Sequence, residues 1–379
     1  MKRISLKALL LVLLFTILLA SCAPAHTFST PEQTDDGWQT ASLDEVGINE
    51  EKLGQAIERI HDDTYQNIHS ILIVKEGKLV FEEYFRGYTW NYNGDQFRGE
   101  LVDFGADTIH NLASVTKSFT SALVGIAIDQ GLIQGVDEKV FTFFPEYACL
   151  SDKRKDQITL EHLLTMTSGL EWNEMALPYD DMSNDLIQLF IVSDPIEYIL
   201  AKPVVNEPGT RWYYNGGGTN LLGEAIREST GLRMDDFAEK YLFAPLGITN
   251  YEWDHINSDM IHASGNLKLR PRDMAKFGYL FLSSGVWKGE QIVSEEWVQE
   301  STAGHASTPW ADGYGYQWWL KTYHVGSASV DSFYAAGWGG QRIMVFPDLD
   351  MVVVFTGGNY VGEEPVDEIT TRYILPAVH

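Results

Sequence analysis

Cysteine is nearly absent: Cys22 and Cys149 are the two in 379 residues. They supply neither a disulfide framework nor a thiolate metal cluster. Basic residues are also scarce, with 27 Lys plus Arg against 53 Asp plus Glu and a formal net charge of -26. So acidic a surface repels phosphate backbones, and no nucleic-acid partner is expected. There is no Gly-x-Ser-x-Gly elbow, which argues against an α/β-hydrolase triad. The ten histidines contain no His-Glu-x-x-His pair or comparable spacing, so no metal site is expected. No internal repeat is visible.

What is present is an ordinary globular composition, 45% hydrophobic and 21% charged. At roughly 150 residues per domain, the length suits about two domains or one fold with a large insertion. Residues 1–21 have the layout of an export signal: basic Lys2, Arg3 and Lys7, the apolar run Ala8 to Ala20, then small residues. Leu19-Ala20-Ser21-Cys22 resembles a bacterial lipobox, which implies lipidation at Cys22 and a membrane-anchored place in the cell envelope. Residues 22–41 are polar and are expected to form a flexible tether. Cys149, beside Phe141 to Phe144, is expected to be a core thiol.

Alternating apolar residues over Ser70 to Val74 and Leu79 to Tyr84, broken by Lys75-Glu76-Gly77-Lys78, predict a β-hairpin, with a helix over Glu51 to His61 before it. From Ser114 to Gly131 apolar residues recur at helical spacing with almost no charge, which predicts a buried helix. Helical patterns continue through Leu160 to Thr167, Asn220 to Thr230 and Arg272 to Ser283. Strand-like runs follow at Gly315 to Leu320, Gln341 to Phe346 and Asp350 to Phe355, then a closing helix from Pro365. The pattern predicts an α+β fold: an antiparallel sheet from both chain ends, flanked by helices, with an all-helical insertion. Residues 42–117 and 255–379 would form the α/β part and 118–254 the helical part.

Three segments carry candidate chemistry. Ser114-Val115-Thr116-Lys117 places a hydroxyl and an amine on one face of a helix. Burial penalises a charged ammonium, which makes a neutral amine accessible as a base for the serine. Alone the pattern is weak, since a chain this long holds about one such pair by chance. A capped helix with a surface lysine is the plain alternative, set against a helix otherwise nearly free of charge. The second segment is Tyr213-Tyr214-Asn215, followed by three glycines and a helix. A phenol beside the lysine would relay a proton to a leaving group, and the Asn amide would bond lysine and substrate. The third, Ala335-Ala336-Gly337-Trp338-Gly339-Gly340-Gln341, leads into an apolar strand whose glycines permit close approach and an oxyanion contact, or mark a bulge without ligand.

In this order the segments resemble the serine β-lactamase and penicillin-binding-protein superfamily, in particular its class C-like esterase and hydrolase branch. His162 to Leu170, Arg272 to Gly278 and Gly339-Gly340-Gln341 are similar to recurrent stretches of that branch. The resemblance runs from about Ser42 to the C-terminus and implies a cleft between an α/β and a helical domain. It implies Ser114 as acylated nucleophile, Lys117 as base partner, Tyr213 as proton shuttle and Asn215 as lysine and substrate contact. The oxyanion hole would use the N–H groups of Ser114 and of Trp338, next to Gly337. Where the superfamily usually carries Lys-Thr-Gly or His-x-Gly, this chain reads Ala335-Ala336-Gly337, so a cation for a substrate carboxylate is missing. Lys321-Thr322-Tyr323 is no replacement, and Arg342 either compensates in part or points away.

This departure resembles 6-aminohexanoate-dimer hydrolases and family esterases. Trp172, Tyr179, Tyr214 and Trp338 either form an aromatic acyl pocket or pack the core. The expected substrate is a small ester, amide or short peptide, with no cofactor. The alternatives are a D-Ala-type peptidase or β-lactamase, and a non-catalytic envelope binding lipoprotein. His110, four residues before Ser114, borders the site at most.

Overall fold

The computed structural model describes residues 27–378. The export signal and Cys22 lie outside the described residues. The first short strand, β1 (Gln39–Thr40), precedes helix α1 (Glu50–His61), whose start is capped by Asn49 accepting from the Lys52 N–H at 3.1 Å. The predicted hairpin follows as β2 (Ile68–Lys75) and β3 (Lys78–Tyr84). It turns through Glu76 and Gly77, both at positive φ. A second hairpin, β4 (Arg86–Trp90) and β5 (Arg98–Asp103), stands apart from the main sheet. Three helices matter for the site: α2 (Thr116–Asp129), α3 (Gly216–Thr230) and α4 (Pro271–Leu282).

The C-terminal part supplies β6 (Gly313–Tyr314), β7 (Trp319–Val325), β8 (Ala328–Gly337), β9 (Gln341–Phe346) and β10 (Met351–Gly357). Eight strands form one sheet in the order β1-β3-β2-β10-β9-β8-β7-β6. β1 runs parallel to β3 and the other pairs are antiparallel. The two chain ends meet where β10 pairs with β2, Val353 opposite Ile73. One face packs Ile71, Ile73, Val353 and Phe355 against α1 and the closing helical segment from Val366. The other face packs Leu72, Val74, Val352 and Val354 into a cluster that continues unbroken through Phe119 of α2 to Phe243. α4 seats on this face at Gly278, where a Cβ would lie 2.6 Å from Val352 and 2.7 Å from Ile343.

Three expectations need correction. Over its described part the tether is docked rather than loose. Trp38 is 2% exposed and its Nε1 donates to the Arg272 carbonyl, while Arg272 pairs with Asp36 and Glu82. The strand expected at Gly315 to Leu320 begins only at Trp319. Before it, Gln317 takes φ 64° and its amide bonds the carbonyls of Leu163 and Leu164, which pulls the chain off the sheet to cover the helical region. Cys149 is exposed: it lies on the 3-10 segment Pro145–Leu150, which buries none of its residues, while Phe143 and Phe144 before it take the core positions.

Candidate active site

Ser114 sits in a 3-10 turn, Ala113–Val115, that runs directly into α2. Ala113 holds a left-handed φ of 45°, uncommon for a residue with a Cβ. Its N–H donates to Asn111 Oδ1 at 2.8 Å and its carbonyl accepts from Thr116 Oγ1 at 2.6 Å, so bonds on both sides hold the turn. One helical turn on, Lys117 is 2% exposed. Its Nζ lies 3.1 Å from Ser114 Oγ and donates to the Ser264 carbonyl at 2.7 Å. No carboxylate pairs with it among the described residues. Ser264 is fixed in turn by Asn220 of α3, whose amide bonds the Ser264 hydroxyl at 3.1 Å and N–H at 3.2 Å.

The tyrosine beside the amine is Tyr214 rather than Tyr213. Lys117 Nζ lies 4.8 Å from the Tyr214 ring centroid, and Tyr214 is 6% exposed against 39% for Tyr213. The stretch before α3 is not helical, and Asn215 ends it extended, at φ −145° and ψ 96°. In extended chain neighbouring side chains face opposite ways, so one tyrosine enters the site and the other leaves it. Asn215 does not hydrogen-bond Lys117. Its Oδ1 caps α3 by accepting from the Gly218 N–H at 2.9 Å, and its Nδ2 is buried without a partner.

Gly216 marks a further difference. A Cβ there would lie 2.8 Å from Glu174 Oε2 and 3.2 Å from Ser264 Oγ. Glu174, 1% exposed, takes that space and accepts from the Gly216 N–H and Trp172 Nε1, both at 2.8 Å. The start of a 15-residue helix favours a carboxylate there. Trp172 is thereby a packing residue under the start of α3, where a Cβ on Gly217 would meet its ring at 2.6 Å. Tyr179 and Trp338, with centroids 5.2 Å apart, do line the cavity that holds Ser114. Trp338 is fixed by its Nε1 donating to the Tyr360 carbonyl at 3.0 Å and by Phe97 edge-on.

Gly337 explains how the strand end reaches the serine. A Cβ on it would lie 2.1 Å from the Leu112 carbonyl oxygen, so only glycine lets β8 close against the turn before Ser114. Arg342 does not restore the missing cation. Its guanidinium pairs with Glu364 at 2.6 Å and donates to the Gly337 and Gln341 carbonyls. Glu364 also receives the N–H groups of Gly339 and Gly340. Lys321 pairs with Asp367 at 2.6 Å. His110 stacks on Phe104, which itself stacks on His69, and burial pushes His110 down to about 3. Sequence reading missed Ser264, Glu174 and His262; no local motif marks them, because the contacts that bring them to the site, with Lys117, Gly216 and Phe190 respectively, join residues tens of positions apart.

A mixed sheet flanked by helices, with a serine and a buried lysine at the head of the helix lying against it, defines the β-lactamase and penicillin-binding-protein class of fold. The chain belongs to the Beta-lactamase family, which it matches over residues 69–375. It is 25% identical over 358 residues to the 6-aminohexanoate-dimer hydrolase of Paenarthrobacter ureafaciens, spanning 89% of this chain and 82% of that one. A shorter match, 31% over 165 residues, is to monacolin J acid methylbutanoyltransferase of Aspergillus terreus, spanning 40% of this chain and 39% of that one. Among solved structures, a family VIII carboxylesterase superposes with a TM-score of 0.65 at 19% identity, over 85% of this chain and 96% of that one. The family match and the 6-aminohexanoate-dimer hydrolase relative support a hydrolase.

Proposed function

We propose that this chain cleaves ester or amide bonds of small neutral or cationic substrates through an acyl-enzyme on Ser114. The observation that carries this reading is the 3.1 Å contact between Ser114 Oγ and a buried lysine amine that pairs with no carboxylate among the described residues. Ser114 Oγ attacks the carbonyl carbon as its proton passes to Lys117 Nζ. Tyr214, lying over that amine, passes the proton to the departing alkoxide or amine. Water then attacks the acyl carbon, giving up its proton by the same route, and releases the acid. The N–H groups of Ser114 and Trp338 receive the oxyanion, which the close approach at Gly337 supports. Among the described residues no Lys or Arg lines the cavity that holds Ser114, and Arg342 is bound to Glu364; this speaks against penicillins and D-Ala-terminated peptides as the natural substrates.

The test is active-site labelling with an alkyl fluorophosphonate, followed by rates over short-chain esters, linear amides and nitrocefin. Wild type is expected to label and Ser114→Ala to remain folded and unlabelled; equal labelling of both would place the nucleophile elsewhere. For location, we propose that Cys22 carries a lipid and anchors the protein in the bacterial envelope. Metabolic incorporation of an alkyne fatty acid is expected in the wild-type protein and lost in Cys22→Ala. Incorporation that survives the substitution would refute the anchor.

A further inference from the structure

The cavity lined by Ser114 has a volume of about 360 Å³. Its walls are largely apolar, with Leu186, Ile187, Phe190 and Ile191 on one side and Trp90 of β4 on another. His262 stands apart from them. It is 4% exposed, and both ring nitrogens are buried with no hydrogen-bond partner. Phe190 packs edge-on to the ring with centroids 5.1 Å apart, and Gly265 leaves it room, since a Cβ there would lie 2.8 Å from Cε1.

Three other polar atoms on these walls already have partners. The Ser264 hydroxyl accepts from Asn220, Asn266 Oδ1 accepts from Asn111, and the Tyr179 hydroxyl donates to Glu174. Buried polar atoms without partners are costly, and His262 lines the Ser114 cavity with both nitrogens unanswered, so a polar group that reaches the ring from the cavity relieves that cost. Burial, with Lys117 nearby, pushes this imidazole down to about 3. It is therefore neutral at working pH and offers one donor and one acceptor.

We propose that His262 is the specificity-determining residue of the acyl pocket and that it hydrogen-bonds an uncharged oxygen or amide group carried along an otherwise apolar acyl chain. The inference rests on the acyl-enzyme reading, because the group that stays esterified to Ser114 occupies the cavity Ser114 itself lines. A carboxylate on the chain is disfavoured, for the walls hold no cation. A plain hydrocarbon chain fits but leaves both ring nitrogens unanswered.

The experiment compares p-nitrophenyl hexanoate with its ether analogues, in which the third, fourth or fifth carbon of the acyl chain is replaced by oxygen. In wild type, at least one ether analogue should exceed hexanoate in kcat/KM by roughly tenfold. In His262→Leu that ratio should fall to about one, while His262→Gln, which keeps a donor and an acceptor, should retain part of it. Rates of Ser114 labelling by alkyl and ether-alkyl fluorophosphonates give the same ratio without turnover. A wild type with no ether preference, or a preference unchanged in His262→Leu, overturns the proposal. Absence of any Ser114 labelling would instead overturn the catalytic reading beneath it.

Discussion

Tyr213 and Tyr214 are the same residue type one position apart, and the fold gives them opposite fates. Tyr214 is buried over the Lys117 amine, whereas Tyr213 faces solvent among Trp212 and Trp310. If proton relay belongs to the buried phenol, Tyr214→Phe should lower kcat for p-nitrophenyl acetate about a hundredfold, and Tyr213→Phe less than about threefold. Steady-state kinetics on the two variants decide the matter, and the reverse ranking would return the role to Tyr213. Glu174 follows the same logic of placement. In the chain it is an acid two residues after Trp172, but folding gives it three neutral donors, Trp172 Nε1, the Tyr179 hydroxyl and the Gly216 N–H at the start of α3, and places it in the space above Gly216.

At the scale of elements, the decisive contact is between the end of β8 and the turn that leads into α2. Gly337→Ala would push a methyl group onto the Leu112 carbonyl, and neither backbone yields cheaply because Gly337 is paired with Gln341 of β9 and the Leu112 N–H is bonded to the Leu267 carbonyl. The strand end must therefore retreat from Ser114, carrying the Trp338 N–H with it. The expected outcome is a loss of at least about a hundredfold in kcat/KM, with a smaller effect on fluorophosphonate binding before bond formation. Stopped-flow labelling separates the two steps, and near-normal acylation by the variant would contradict the oxyanion role. α4 plays the scaffold part: its Arg272 fastens Asp36 and Glu82, and its Lys276 and Asp273 pair at 2.9 Å in full burial.

For the whole molecule, three buried histidines set an acid limit. Burial holds His110 and His262 at about 3 and His69 well below its ordinary value, so all three are neutral when folded. Unfolding releases them to a value near 6.5, where they bind protons. Their contribution to stability is thus present above about pH 6.5 and lost as pH falls below it, at about 1.4 kcal/mol per histidine per pH unit. Glu224 opposes this, since burial raises it to about 7 and its protonated form favours the fold. Urea denaturation should show stability falling from pH 6.5 to pH 5, and His110→Phe should flatten the slope by about one proton. A slope unchanged in that variant would show that His110 titrates normally.

Much of this protein was legible in the order of its residues. The β2–β3 hairpin, α2 and the strands β9 and β10 announce themselves because burial on one or both faces imposes a local period that residue type records. Ser114 and Lys117 were legible for the same reason: a spacing of three on a charge-poor helix is itself a statement about space. What the sequence alone determined was thus most of the elements, the family resemblance and the spacing that brings Ser114 and Lys117 together. Which of two tyrosines meets the amine, the docking of residues 27–41 by Arg272, the binding of Arg342 to Glu364 and the unanswered imidazole of His262 were decided by tertiary structure. Each depends on atoms brought together from distant positions, and neither period nor composition records which partner a side chain will find.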